Sequence, residues 1–263
     1  QAGLSRDLFR GLHALFGRIR GGVAMAAIGA CAGFGAVSGS SIATSSTMGR
    51  VALPALDSLG YAPRLATGTL AAGGTLGILI PPSVALVIYA IIVEASIIEM
   101  FQAAALPGIL AVVFFLATIA IAVRLRPADA PAATPLDPIE RRKALKRLIP
   151  VALLFGGIVL GLGMGLFTPT PAAAIGAFAV IAYGFALRFI TDDGLTLSGL
   201  TTAIRETAVT SGMIYFILFG AEVLKTFFSR AGLPQLLADW AMNSGYEPFM
   251  MLAIMLALLI LLG

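Results

Sequence analysis

From Ala103 to Val123 the chain runs 21 residues without one charged side chain. Leu148 to Phe167 makes a second such run of 20. A helix of about 20 apolar residues rises about 30 Å, the thickness of the hydrocarbon core of a bilayer. Within that core every backbone amide must find its partner inside the segment, which leaves helices as the default for a chain of this kind. Composition agrees. Of 263 residues, 59% are hydrophobic and 11% charged, with 17 Lys/Arg against 13 Asp/Glu and a net charge of +4. A soluble domain carries about 25% charged residues to cover a wet surface. Disorder, a collagen repeat and an ordinary cytosolic enzyme are excluded. A disulfide scaffold is excluded as well, since Cys31 is the single cysteine. The fold class is an all-α integral membrane protein.

Five crossings are predicted, at about 62–93, 103–124, 148–167, 171–189 and 206–228. Their order is tested by basic residues, which concentrate on the cytoplasmic side. With residues 1–20 inside, the first crossing ends at Glu94 and Glu99 outside. The second returns to Arg124 and Arg126, and the basic run 141–147 follows inside. The third reaches Thr168-Pro169-Thr170-Pro171, the fourth returns to Arg188, and the fifth leaves toward Lys225 and Arg230. All basic residues except Lys225 and Arg230 then lie inside. The Pro/Ala-rich stretch from Arg126 to Pro138 reads as a flexible cytoplasmic linker. The basic segment Ile139–Arg147 reads as an anchor on anionic headgroups rather than a nucleic-acid patch. Asp192-Asp193-Gly194 reads as a turn at the inner face.

Two segments do not read as simple spans. Gly21 to Val37 is apolar, but Ser38-Gly39-Ser40-Ser41 follows, and then a hydroxyl-rich leg that ends at Arg50. Basic residues flank both legs. The geometry this predicts is a re-entrant helical hairpin over 21–58 that enters and leaves from the cytoplasm, with its tip at 38–41. Non-helical backbone at that depth needs protein or a wet cavity around it. Close helix packing by Ser and Thr is the plainer account of Ser45 and Ser46.

The second segment contains Gly73-Gly74-Thr75-Leu76-Gly77-Ile78-Leu79-Ile80-Pro81-Pro82. A continuous helix from 62 to 93 would be about 48 Å long, too long for one span. The three glycines weaken it and the two prolines cannot donate to it. A break near mid-membrane frees carbonyls that suit a dehydrated cation, while hydroxyls and helix N-terminal amides of the adjacent tip suit a carboxylate. A proline kink without a ligand is the alternative.

Ala2-Gly3-Leu4 recurs as Ala231-Gly232-Leu233, each opening a short amphipathic segment that leads into an apolar leg. Five crossings lie between the copies. An odd number inverts the second, giving the inverted repeat of secondary transporters. The chain opens at Gln1 and stops at Gly263 inside an apolar run, and is expected to be a fragment in which the second hairpin is truncated. The organisation expected is an arm at 1–20, the hairpin at 21–58 and a broken transmembrane helix of a transport domain at 59–101. A span at 102–126, the linker at 127–147, three spans within 148–230, and a second arm with the start of a second hairpin at 231–263 follow.

The run from Gly39 through Pro54, then Gly60-Tyr61, then Ala71 through Ser83 resembles the large membrane subunit of tripartite ATP-independent periplasmic (TRAP) transporters, the DctM-like permeases. Thr168-Pro169-Thr170-Pro171-Ala172-Ala173-Ala174 resembles a turn of that family, with Pro171 in place of the usual Glu. The resemblance implies an elevator-type transporter in a bacterial inner membrane. Sodium would drive the import of organic acids, C4-dicarboxylates or sialic-acid-like carboxylates, delivered by a periplasmic binding protein. A small four-helix membrane subunit would complete the scaffold. It further implies a sodium site of Ser38 and Ser41 with carbonyls of Gly77, Ile80 and Pro82, and substrate contacts at Gly39, Ser40, Thr44 and Thr75. Other contacts would lie beyond Gly263.

The remaining features suggest structure rather than chemistry. His13 reads as an interfacial contact, Cys31 as packing, and Gly157, Gly161 and Gly165 as a close-packing stripe on the third crossing. No motif for a hydrolase or an organic cofactor is present, so an enzyme is not expected. A channel and a single-component sodium/dicarboxylate carrier stand as alternatives.

Overall fold

A computed structural model describes residues 3–133, 136–190 and 194–262. Among them are eleven α-helices and no strand. In order these are α1 (Leu4–Phe16), α2 (Gly22–Ser38), α3 (Ser41–Ser58), α4 (Pro63–Leu79), α5 (Val84–Ile92), α6 (Ile97–Leu125), α7 (Pro138–Gly163), α8 (Pro169–Ile190), α9 (Leu197–Arg230), α10 (Leu233–Asn243) and α11 (Pro248–Leu262). The helices α6, α7, α8 and α9 are each long and apolar enough to cross a membrane. The pair α4 and α5, bent by 40° at its break, makes a fifth span if counted as one. The Asp192-Asp193 turn lies outside the described residues.

The chain forms two compact units, residues 1–200 and 201–263. In the first, α2 and α3 fold back on each other and both pack along α4. The sequence of α2 explains its place. It is almost wholly Gly, Ala and small apolar residues, so neighbouring backbones come close. Ala24, Ala26, Ala27, Ala30 and Cys31 are completely buried. Its first turn is capped from a distance: the Val23 N–H donates to the Tyr61 hydroxyl at 3.3 Å. Burial pushes the Tyr61 phenol above its ordinary range.

The helix α1 is amphipathic and packs against α2 and α7. Gly11 lies so close to Leu148 that a Cβ there would be 2.8 Å from the Leu148 Cβ. Asp7 is buried and pairs with Arg147 at 3.5 Å, and the Arg141 Nε donates to the Ala14 carbonyl at 3.2 Å. Part of the basic run therefore serves the arm: one residue neutralises a buried carboxylate and another caps the carbonyl end of α1. That run is also helical from Pro138 onward, continuous with the third span, with Asp137 accepting from the Ile139 N–H as its cap.

The start of the linker is latched, which corrects the flexible loop expected at Arg126–Pro138. Asp129 forms a two-point ion pair with Arg64, one arm at 3.0 Å. Its carbonyl accepts from the Ala62 N–H at 2.9 Å. Arg20 donates to the carbonyls of Pro127 at 2.7 Å and Ala130 at 3.2 Å. Polar residues that read as solvated in sequence thus join the beginnings of α2 and α4 to the end of α6. Gly165 is likewise outside its expected stripe. It follows α7 with φ at +71° and turns the chain toward α8.

In the second unit α10 begins after Gly232 at φ +72°, and in the first α1 begins after Gly3 at the same φ. Each arm-like helix leads to an apolar helix of similar length, α2 with 17 residues and α11 with 15.

Candidate functional site

The hairpin turns on two residues. Gly39 ends α2 in the left-handed region, at φ +59°, and Ser40 is extended and caps α3, its hydroxyl accepting from the Ala43 N–H at 3.3 Å. Ser38 is the last residue of α2 and Ser41 the first of α3. Thr44, fully buried one turn on, donates to the Ser40 carbonyl at 2.7 Å. Its hydroxyl is 2.9 Å from that of Ser38. The Ser38 hydroxyl also reaches the Ser40 carbonyl, at 3.4 Å, and accepts from the Ser40 N–H at 3.4 Å. Oxygen lone pairs thereby gather at the tip, and Thr44 braces it from inside.

The broken helix gives way only at residues 80–83. The glycines Gly73, Gly74 and Gly77 are all helical, and this corrects the expectation that they unwind the span. Their role is contact. A Cβ on Gly73 would be 2.8 Å from the Cys31 sulfur, one on Gly74 would collide with the Ser45 hydroxyl, and one on Gly77 would be 2.6 Å from the Ser40 carbonyl oxygen. The glycine face of α4 therefore lies against a side chain of each hairpin leg, Cys31 on α2 and Ser45 on α3, and against the backbone of the tip. Gly35 of α2 completes the approach, since a Cβ on it would be 2.7 Å from the Gly77 Cα.

Proline explains the break itself. In a helix the carbonyls of Gly77 and Ile78 would accept from residues 81 and 82, and Pro81 and Pro82 have no N–H to give. The Ile78 carbonyl is satisfied by the Ser83 hydroxyl at 2.8 Å. Ser83 is almost fully buried. The Gly77 carbonyl loses its helical donor in the same way. The Val84 N–H, at the start of α5, donates to the Gly39 carbonyl at 3.2 Å. Tip and break are thus joined by backbone.

Of the nine residues singled out from sequence, Ser38, Gly39, Ser40, Ser41 and Thr44 form the tip. Gly77 touches it directly. Ile80 and Pro82 belong to the break, and the Pro82 carbonyl oxygen would be 3.3 Å from a Cβ on Gly39. Thr75 is set apart: it is on the exposed side of α4 and its hydroxyl donates back to the Ala72 carbonyl at 2.7 Å. Sequence reasoning missed Ser83 and Gly35. Ser83 follows two prolines, and a hydroxyl there is the signal for a replaced helical donor. Gly35 carries no such signal, because its role exists only through Gly77. Among the described residues no group of three or more His, Cys, Asp or Glu could hold a metal. The donors here are neutral oxygens.

Long apolar helices, a fifth span broken around backbone carbonyls and a hydroxyl-rich tip pressed against it define a multi-pass integral membrane protein of the transporter type. The family described as "Tripartite ATP-independent periplasmic transporter, DctM component" matches residues 1–263. The chain belongs to this family, whose members are transporter permease subunits and not enzymes. It is 34% identical over 263 residues to the C4-dicarboxylate TRAP transporter large permease protein DctM of Pseudomonas aeruginosa, covering 99% of this chain and 60% of that protein. It is 30% identical over 264 residues to the sialic acid TRAP transporter large permease protein SiaM of Vibrio cholerae, again covering 60% of the relative. It is 30% identical over 267 residues to the isethionate TRAP transporter permease protein DctMQ of Oleidesulfovibrio alaskensis, covering 99% of this chain and 40% of that protein. The chain spans about 60% of the length of the large permeases it matches.

Proposed function

We propose that the protein is the large permease of a sodium-coupled importer of organic acids in a bacterial inner membrane. The observation that carries this reading is the hydrogen bond from Val84 to Gly39, with Gly77 against Ser40: a hydroxyl tip and a broken helix share one locus. Sodium would be held there by Ser38 and Ser41 and by the carbonyls of Gly77, Ile80 and Pro82. Neutral oxygens at a helix break are the donor set that suits a dehydrated monovalent cation. The carboxylate of the substrate would be met by Gly39 and Ser40, with Thr44 bracing the tip behind them; Thr75, set apart on the exposed side of α4, is left out of this set. The names of the relatives, for C4-dicarboxylates, sialic acid and isethionate, support an organic anion as the cargo class.

The hairpin and broken span would form a mobile transport domain, moving in an elevator cycle against a scaffold to which a small four-helix membrane subunit contributes. The hairpin would be re-entrant from the cytoplasm. A periplasmic binding protein would deliver the substrate. Uptake into proteoliposomes holding the full-length permease and its small subunit tests this. Accumulation should need an inward sodium gradient and added binding protein. Uptake that needs sodium but no binding protein would mark a single-component carrier instead, and uptake indifferent to sodium would overturn the coupling site.

A further inference from the structure

We propose that the basic end of α7 and the turn after α1 form a binding site for an anionic phospholipid, with the headgroup phosphate on the cations and an acyl chain along the apolar wall. The two segments enclose a cavity of about 450 Å³ lined by Arg18, Arg141, Arg142, Lys146, Leu145 and Ile149, among others. Arg18 comes from the turn between α1 and α2, Leu136 from the segment just before α7, and Arg141, Arg142, Leu145, Lys146 and Ile149 from one face of α7, where residues three and four apart align. Four cations line it and no carboxylate does. Asp137 and Glu140 stand nearby on α7 without lining it, and the Asp137 side chain is taken up by the helix cap.

The basic run is divided by task. Arg147 faces the other way, to Asp7, while Arg141 is held by its Nε on the Ala14 carbonyl. That bond fixes the Arg141 guanidinium at the edge of the cavity at no cost of its own ordering on binding. The order of lining residues along α7 is also informative. Arg141, Arg142 and Lys146 come before Ile149, and the apolar span follows. Charge therefore gives way to hydrocarbon in the sense a phospholipid does, which favours a lipid over free inorganic phosphate. Basic pockets between helices at the membrane surface suit phosphate headgroups, and each cation near the surface is worth about a fivefold change in affinity.

Full-length permease, purified in zwitterionic detergent, is incubated with dioleoyl phosphatidylglycerol, dioleoyl phosphatidylcholine or inorganic phosphate, and retained lipid is read by native mass spectrometry beside a melting curve. Phosphatidylglycerol should be retained and should raise the melting temperature, phosphatidylcholine should not, and phosphate should leave melting unchanged. The double variant R142Q/K146Q should lower retention about thirtyfold, compounding the single-cation factor. R50Q, on the exposed side of α3, is the control and should retain lipid as the parent does. Equal retention of the two lipids, stabilisation by phosphate alone, or full retention by a correctly melting double variant would each overturn the proposal.

Discussion

The Val84 N–H donates to the carbonyl of Gly39 at 3.2 Å, although 45 positions and two helices, α3 and α4, separate them. One bond thereby ties the turn of the hairpin to the first turn of α5. Gly39 is also in the left-handed region, and a Cβ on it would be 2.9 Å from the Val84 nitrogen. Two independent reasons make this position glycine.

Gly39→Ala should therefore lose more than backbone strain. The left-handed conformation costs about 1–2 kcal/mol for a residue with a Cβ. Gly60 supplies the comparison: its φ is +79° and a Cβ there meets nothing within 4 Å. Gly60→Ala should lower the melting temperature of the full-length protein by the strain alone. Gly39→Ala should lower it further and abolish uptake. Equal melting of the two variants would show that the tip and break are not in contact.

The helical glycines divide by what they touch. Gly77→Ala must displace Ser40 or Thr44, and should abolish uptake while the protein still inserts. Gly157 faces open space in this chain, so alanine gains helix propensity of about 1 kcal/mol and should leave melting of the isolated permease unchanged or slightly raised. Uptake and melting curves of both variants check the pair. Normal transport by Gly77→Ala would remove the case for a shaped tip.

Tip hydroxyls are separable in the same way. Ser41→Ala should raise the sodium concentration for half-maximal uptake, because one oxygen leaves the set. Ser46→Ala, on the exposed side of α3, should not. Thr44→Val should act on stability, since the Ser40 carbonyl loses a buried donor at a cost of about 1–3 kcal/mol. Sodium titrations of uptake with parallel melting curves distinguish the two effects.

Thr69 is buried and its hydroxyl has no partner among the described residues. Valine keeps the shape and removes the unpaired polar atom. Thr69→Val should raise the melting temperature, by the equivalent of about 1 kcal/mol or more. A lower melting temperature would mean that the hydroxyl is bonded in solution.

The latch around Asp129 predicts a labelling pattern. A cysteine at Ala130, which is 2% exposed, should resist a membrane-impermeant thiol reagent, whereas one at the exposed Ala133 should react. Asp129→Asn weakens the pairing with Arg64 and should make position 130 reactive. The measurement is labelling of single-cysteine variants in a Cys31→Ala background, in inside-out vesicles and in intact cells. Reaction at 133 from the outer side would invert the predicted orientation.

The apolar runs Ala103–Val123 and Leu148–Phe167 determined by themselves that the chain is a helical membrane protein, because an unbroken apolar run of about 20 residues fits a helix, whereas the other closed solution, a barrel, uses alternating strands of about 10. Pro81 and Pro82 determined that the long first span breaks and which carbonyls it releases, since the missing N–H is a covalent fact. Ser38 to Ser41 determined where the hairpin turns. The tertiary structure alone decided what lies against what. Gly73, Gly74 and Gly77 read in sequence as helix breakers because glycine is a poor helix former in isolation. Packed against Cys31, Ser45 and Ser40, the same absence of a Cβ permits close approach and the helix persists. Asp129 read as loop because a lone carboxylate prefers water, and Arg64, 65 positions earlier, makes its burial favourable. Such pairings depend on distance in space, and the periodicities of a single sequence report only the face on which each residue lies.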